Sequence, residues 1–361
     1  SILRAALLVV LFGFSAKGFA AAPTVVTVAA SGITSSSAVL NGSGNPGGEA
    51  TTGRFRYSST NPGTCNDTFG TRVPATSGTD LGNGSSTVPY SITTTGLTPG
   101  TTYYFCAIVT NASGTSYGSV LSFTIPAQPQ VVTSAATSVS SSSATLNGSA
   151  NPFTLSTLGW FRYSTTNPVT CDDSFGTRIP SSSGQNLGTG IVAVPYTQSL
   201  TSLYPGTTYY FCAIAQNSLG TSVGTVQSFT TPSMAPTVNT SSASNLSRTG
   251  ATLNGYANPG GDATTAWFRY GPASPGTCND TWGTRTPATG GASLGAGTSN
   301  ASWNQSISGL LPGVTYYYCA LAKNSQGLSW GSVQTFITPS APTATASPSP
   351  RRAASQSPAP K

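Results

Sequence analysis

The side chains of this 361-residue chain that could do chemistry are few, and most catalytic arrangements cannot be assembled from them. The chain has six cysteines, 14 basic and seven acidic side chains, one glutamate (Glu49) and no histidine. Without an imidazole, a Ser-His-Asp or Cys-His nucleophile, a histidine general base and a His-ligated zinc are all excluded. We therefore expect no catalytic residues, no cofactor and no metal site.

The cysteines form three pairs of constant spacing. The two members of each pair are 41 residues apart, and successive pairs are offset by 106 and 107 residues. A zinc site is the alternative to a disulfide, but two thiols per pair with no histidine provide too few ligands. Closing a loop of about 42 residues would stabilise the fold by about 4 kcal/mol in the chain-entropy account. The predicted disulfides are Cys65–Cys106, Cys171–Cys212 and Cys278–Cys319.

Three charged positions recur with the same period. They are Arg56, Arg162 and Arg269, then Asp67, Asp173 and Asp280, then Arg72, Arg178 and Arg285. An aspartate bridged to one or both arginines would fix the cysteine-bearing loop beside the disulfide. A repeated ligand-binding constellation is the alternative. Catalysis is not expected, because one carboxylate with two arginines supplies no second acid and no nucleophile.

Aromatic side chains near these arginines are the candidate ligand face. In two copies a tryptophan and an arginine share strand parity and project from the outer face of one sheet: Trp160, Arg162, Trp267 and Arg269. An exposed aromatic platform of this kind could stack on sugar rings. In the alternative, which we favour, Phe175 and Trp282 of the disulfide-tied loop pack on that face and form a second small core.

The elements that position these residues occur three times. The chain is a tandem array of near-gapless copies at residues 23–127, 128–234 and 235–340. A unit of about 105 residues is a domain, since solenoid repeats have periods of about 20 to 50 residues. Before the copies, residues 1–22 have the form of a signal peptide; after them, residues 341–361 form a Pro/Ser/Ala-rich tail that we expect to be disordered.

The leader predicts the compartment. Arg4 precedes an apolar run over residues 5–14, and small residues follow it, so cleavage is expected after Ala20 or Ala22. The apolar run is about half the length of a membrane span, and no membrane insertion of the mature chain is expected. The protein is therefore predicted to be secreted or held at the cell surface, where disulfides form.

Within each copy the hydrophobic pattern predicts strands. Ala38, Leu40 and Gly42 alternate with polar neighbours, and equivalent positions of the other copies repeat the alternation. The run 103–109 is too apolar for a strand with one wet face, so it should be central in its sheet. With no helical periodicity in any window, each copy is predicted to be an all-β sandwich.

One segment of each copy resembles the fibronectin type III family. The segments read LTPGTTYYFCAIVTNASGTS, LYPGTTYYFCAIAQNSLGTS and LLPGVTYYYCALAKNSQGLS, and they begin at Leu97, Leu203 and Leu310. The resemblance implies three tandem fibronectin type III-like, immunoglobulin-like sandwiches. It also implies a structural tyrosine corner in each copy, in which a tyrosine hydroxyl bonds to the backbone at the preceding turn. The tyrosines implied are Tyr103, Tyr209 and Tyr316.

The copies depart from that family in two respects. A tryptophan is usual on the second strand of the family, where these copies have Gly42, Gly148 and Gly255, so another side chain must fill the core. Tyr90, Tyr196 and Trp303 are the predicted replacements. Typical members also lack disulfides. The chain therefore resembles a divergent, bacterial, secreted branch of the family.

The charge distribution restricts the kinds of molecule that the chain could bind. The formal net charge of +7 falls to +2 over residues 23–340, which hold nine basic and seven acidic side chains. That balance makes no phosphate-binding field, so no nucleic-acid partner is expected. The sequence predicts a non-catalytic, monomeric modular protein that acts as an elongated spacer or adhesion stalk toward an extracellular protein or polysaccharide, and it leaves fibre assembly open. The alternative is a carbohydrate-binding module array accessory to an extracellular hydrolase.

Overall fold

A computed structural model describes residues 21–340, and these residues form only strands, turns and loops. Within this part of the chain no helix is long and apolar enough to span a bilayer. The leader, except for its last two residues, and the tail 341–361 lie outside the described residues.

Nine strands recur in the same order in each copy. The first copy has β1 (Thr24–Ser31), β2 (Ser37–Asn45), β3 (Thr52–Ser58), β4 (Thr71–Val73), β5 (Thr79–Asp80), β6 (Val88–Thr95), β7 (Thr102–Asn111), β8 (Gly114–Tyr117) and β9 (Leu121–Thr124). The second has β10 (Gln130–Thr137), β11 (Ala144–Asn151), β12 (Thr157–Ser164), β13 (Thr177–Ile179), β14 (Gln185–Gly188), β15 (Val194–Leu200), β16 (Thr208–Asn217), β17 (Gly220–Val223) and β18 (Gln227–Thr230). The third has β19 (Thr237–Ser244), β20 (Gly250–Asn258), β21 (Thr264–Gly271), β22 (Thr284–Thr286), β23 (Ala292–Gly295), β24 (Ala301–Ser308), β25 (Thr315–Asn324), β26 (Gly327–Trp330) and β27 (Gln334–Ile337).

The strands of each copy pair into two antiparallel sheets. In the first copy one sheet has the order β1-β2-β6, and the other has the order β4-β3-β7-β8, with β5 also on β3 and β9 also on β7. The second and third copies repeat both orders. This strand order is that of a fibronectin type III-like sandwich, so the predicted all-β fold class is confirmed. Backbone contacts group the chain into two compact units whose division runs through the second sandwich, and the three sandwiches are defined by which strands pair.

Strands β2 and β7 bury their residues in different patterns, for a physical reason. In β2 buried and half-buried residues alternate, because only one face of its sheet is covered. In β7 five consecutive residues, 105 to 109, are buried. A strand can bury consecutive residues only if both faces of its sheet are covered. The run is central, as its composition predicts, and something other than the core must cover its second face.

Phe55 and Ala107 lie over the second-strand glycine, and the predicted replacement Tyr90 packs beside Phe55 and over Gly53. A Cβ atom on Gly42 would lie 2.8 Å from the Cβ of Ala107, so no side chain fits there. Tyr90 stands opposite Gly42 in the sheet, and its ring centroid is 4.8 Å from that of Phe55. The equivalent separations are 4.9 Å for Tyr196 with Phe161 and 5.3 Å for Trp303 with Phe268.

The polar atoms of these three core rings differ in their partners. The hydroxyl of Tyr196 donates to the carbonyl of Ile214 at 2.9 Å, and that of Tyr90 to Ile108 at 3.3 Å. Burial raises the pKa of both phenols, so they stay neutral donors. The indole Nε1 of Trp303 has no hydrogen-bond partner, the one such buried side-chain atom within residues 21–340. The third sandwich therefore bears a desolvation cost that the other two avoid.

A threonine hydroxyl joins the two sheets of every sandwich. The amide of Ala107 donates to Oγ1 of Thr27 at 3.0 Å, and the amides of Ala213 and Ala320 do the same to Thr133 and Thr240. The close approach requires a glycine between the last two strands of the copy. A Cβ atom on Gly118 would lie 2.3 Å from that threonine oxygen. Backbone geometry therefore selects glycine here.

The tyrosines implied by the family resemblance form the expected bonds. The hydroxyl of Tyr103 accepts from the amide of Thr98 at 3.1 Å, that of Tyr209 from Tyr204 at 2.9 Å, and that of Tyr316 from Leu311 at 3.0 Å. Each ring also stacks on a phenylalanine of the last strand, with Tyr209 and Phe229 5.5 Å apart. The corner thus joins the turn before the central strand to the end of the copy.

Replacing Tyr209 by phenylalanine tests this corner. We expect Tyr209→Phe to keep the stacked ring and to lower the free energy of unfolding of the second sandwich by about 1 kcal/mol, because one amide loses its acceptor. Native-state hydrogen exchange of β16 measures the change. Tyr204→Phe is the control, since that side chain is 59% exposed and its hydroxyl is not used. Equal effects of the two variants would show that the corner bond contributes nothing.

Candidate functional site

The disulfides tie a long loop onto the second face of the central strand. The structure has the three predicted pairs, with Cα–Cα distances of 6.0, 6.1 and 6.1 Å. Cys106, Cys212 and Cys319 are fully buried on that strand. Their partners lie in the loop that follows the neighbouring strand β3, β12 or β21. The loop is the cover that burial of the central strand requires, and it includes the short strands β4 and β5 or their equivalents.

An aspartate in the tied loop accepts bonds from the strand beneath it. In the second sandwich Oδ1 of Asp173 accepts from Nε1 of Trp160 at 2.9 Å and from Nε of Arg162 at 3.0 Å. In the third sandwich Asp280 accepts from Trp267 at 2.9 Å and from Arg269 at 3.1 Å. The first arginine of the repeated set therefore bridges to the aspartate in both copies.

The same arginine also holds the loop by its backbone. Nη1 of Arg162 donates to the carbonyl of Phe175 at 3.1 Å, and Nη1 of Arg56 donates to Gly70 at 3.1 Å. Arg269 donates to the carbonyl of Trp282 at 3.3 Å. Each guanidinium is thus used by one carboxylate and by loop carbonyls. This is the structural arrangement that we expected of the repeated charges.

The first sandwich has an arginine where the others have a tryptophan. Arg54, which is 8% exposed, donates from Nη2 to Asp67 at 2.6 Å, while Nε of Arg56 donates to the same carboxylate at 3.1 Å. The bonds from Arg54, more than those from Arg56, hold the pKa of Asp67 below its usual value, against the opposing effect of burial. The stability that this carboxylate contributes is present above its unfolded pKa and is lost as the pH falls through the lowered value.

The second arginine of the set does not reach the aspartate. The guanidinium of Arg178 lies over the ring of Trp160, 4.5 Å from its centroid, and that of Arg285 lies 4.6 Å from Trp267. Both also donate to loop carbonyls, Arg178 to Pro180 at 2.8 Å and to Ser183. The cation–π partner of each tryptophan is therefore the loop arginine, and not the strand arginine Arg162 or Arg269.

The candidate ligand face of Trp160, Arg162, Trp267 and Arg269 is not an exposed platform. Trp160 is 4% exposed and Trp267 is 5% exposed, because the tied loop lies over them. Trp267 packs with both cysteines of its disulfide and with Leu321, and Trp282 of the loop borders this cluster. Trp160 packs with Cys212 and Ile214 beside Phe175. The favoured alternative, a second small core, describes this face.

Two exposed aromatic residues that the sequence analysis missed lie at the edge of this covered face. Tyr117 and Trp330, 48% and 49% exposed, end strands β8 and β26. Each borders a shallow groove, of about 410 Å³ in the first sandwich and about 380 Å³ in the third. The opposite wall is the loop at Cys65 or Cys278. Aligning the copies would have found them, since the second copy has Val223 at the same position.

Every carboxylate in the chain has a structural partner. Besides the three loop aspartates, Glu49 accepts from the amide of Ser113 at 3.0 Å and Asp262 from that of Ser325 at 3.0 Å. Asp80 and Asp172 accept from backbone amides within their own turns. The described residues contain no group of three potential metal ligands. These carboxylates stabilise loops and turns.

Exchanging the residue types found in different copies tests the tied-loop arrangement. Arg54→Trp gives the first sandwich the residue that Trp160 and Trp267 supply elsewhere, and Asp67 and Arg72 already match. We expect its unfolding free energy to stay within about 1 kcal/mol of the parent. Arg54→Ala should cost about 1 to 3 kcal/mol, because Asp67 loses charge-assisted bonds. Pulse proteolysis in urea measures both, and equal losses would contradict the arrangement.

Comparisons with known proteins found similarity to solved structures only. No family model and no curated protein sequence matches the chain. A crystal structure of the FN1-FN3 domains of chicken CNTN1 is similar over 88% of this chain and 99% of that chain, with 16% sequence identity and a TM-score of 0.31. The fibronectin type III-like fold of the three sandwiches is established by their strand order.

Proposed function

We propose that the chain is a non-catalytic modular protein of the cell exterior, in which the three sandwiches serve as a spacer or adhesion stalk. The observation that carries this proposal is the use of the reactive side chains. All six cysteines are in disulfides, the three loop aspartates accept bonds from arginine or tryptophan side chains of the strand beneath them, and the other four carboxylates accept bonds from backbone amides of loops and turns. Such a chain supplies rigid, inert units.

The proposed location rests on the disulfides. Three disulfides persist in an oxidising compartment and are rare where glutathione keeps thiols reduced. The form of residues 1–22, with cleavage after Ala20 or Ala22, supports secretion by the same argument. The proposed location is therefore the cell exterior, either as a released protein or as one held at the cell surface. Its partner would be an extracellular protein or a polysaccharide.

The proposed division into units follows the internal repeat. The copies 23–127, 128–234 and 235–340 are joined by segments that read IPAQPQ and TPSMAPT. Prolines at both ends of each segment favour a semi-rigid connection. With strands of about 7 to 9 residues at about 3.3 Å each, three units end to end would reach roughly 80 to 100 Å.

The alternative function, a carbohydrate-binding array accessory to an extracellular hydrolase, loses its original support. It relied on Trp160 and Trp267 as stacking platforms, and both are buried under the tied loop. A different observation bears on carbohydrate binding: the aromatic residues Tyr117 and Trp330 are exposed.

Solution scattering tests the spacer proposal. We expect residues 23–340 to give a radius of gyration well above the roughly 20 Å of a compact chain of this length. The value should not change between low and high salt, because a net charge of +2 produces little repulsion between units. A radius near the compact value would contradict the spacer role.

A further inference from the structure

The grooves beside Tyr117 and Trp330 are the same site built twice. Residues 63–65 and 117–120 line the first groove, and residues 276–278 and 330–333 line the second. The two sets correspond position by position at a spacing of 213 residues. The disulfide fixes one wall and the hairpin β7–β8, or β25–β26, fixes the other. The site is therefore held in place without a ligand.

The aromatic wall continues the row of residues that the loop covers. Trp330 pairs across the sheet with Leu321, and Leu321 pairs with the buried Trp267. The loop covers the inner part of this row and stops short of its outer end. Trp330 is consequently 49% exposed and lines the groove, and Tyr117, 48% exposed, occupies the same position in the first sandwich.

The remaining lining is uncharged and combines apolar residues, such as Val120 and Val333, with hydroxyl-bearing ones. Thr64 and Ser119, and their counterparts Thr277 and Ser332, place hydroxyl groups at the groove, and no charged side chain lines either one. A ligand that matches this surface has a flat apolar face for the ring and neutral hydroxyl groups for the rim. A pyranose has both. An ionic ligand would meet no counter-charge in the groove.

The second sandwich lacks the aromatic residue of this groove. Val223 replaces the aromatic residue, and Val169 replaces Gly63 and Gly276. The position is open in all three sandwiches: a Cβ atom at either glycine would meet nothing within 4 Å, and Val169 is 82% exposed. Val169 also has a φ of 67°, which is a strained value for a β-branched residue.

We propose that the grooves at Tyr117 and Trp330 are two binding sites for a neutral, pyranose-containing polysaccharide, with these aromatic rings as the stacking platforms. The proposal assumes the extracellular location above and does not depend on the spacer role. Addition of a peptide strand to the edge of the sheet is less suited to the site. Strand β8 has only four residues, and the amide of Gly118 that follows it donates inward to Ala107 at 2.9 Å.

Affinity electrophoresis of the full chain tests the proposal. Gels contain barley β-glucan, xylan, galactomannan or soluble starch, with alginate as the charged comparison. We expect retardation by at least one neutral polysaccharide that is insensitive to salt. Tyr117→Ala and Trp330→Ala should each weaken binding by about tenfold or more, because two linked sites become one, and the double variant should abolish it.

Two further variants separate loss of the platform from loss of folding. Trp330→Tyr keeps an aromatic ring and should retain binding, while Val223→Ala changes the equivalent position of the second sandwich and should have no effect. Retardation by none of the neutral polysaccharides, retardation by alginate alone, or equal losses from Val223→Ala and Trp330→Ala would overturn the proposal. The scattering radius is measured without any polysaccharide, so failure of either proposal is recognised independently of the other.

Discussion

The disulfide between the central strand and the loop after its neighbour is the constraint on which each sandwich depends. It fixes the 29-residue loop 59–87 against a face that would otherwise be wet, and burial of five consecutive residues on β7 is possible only with that cover. The chain-entropy account assigns such a link about 4 kcal/mol, a large share of the stability of a 105-residue domain. The aspartate, its arginines and the stacked tryptophan all lie beneath or within this loop.

The few acidic side chains serve the structure of the sandwiches. Each loop aspartate accepts bonds from two side chains of the strand beneath it, and the Arg-Asp contacts recur because the same loop is fixed in each copy. In the first sandwich Arg54 makes the bond that Trp160 and Trp267 make elsewhere, so either a guanidinium or an indole N–H satisfies the aspartate at this position. What recurs at this position is a hydrogen bond to the loop aspartate, and the residue that donates it differs between copies.

The sequence predicts the domains, disulfides and core of this molecule better than it predicts which outer-face residues are exposed. The 106- and 107-residue offsets predict the copies and the cysteine pairs, and period-two alternation predicts core-facing residues such as Ala38 and Leu40. Alternation assigns a residue to a face and is silent on what covers that face. The disulfide-tied loop, with its aromatic residues Phe175 and Trp282, supplied that information and favoured a covered position for Trp160 and Trp267. Tyr117 and Trp330, at the ends of four-residue strands, gave too short a pattern to attract notice.

Hydrogen exchange of the intact chain, compared before and after reduction of the disulfides under native conditions, tests the central claim most directly. If the disulfide holds the loop as a cover, reduction should remove amide protection first from residues 60–73 and from the equivalent loops, and then from the outer-face strands, while β2 and its equivalents keep more of theirs. Loops that remain as protected after reduction as before it would contradict this account, because the cover would then be held by packing and hydrogen bonds alone.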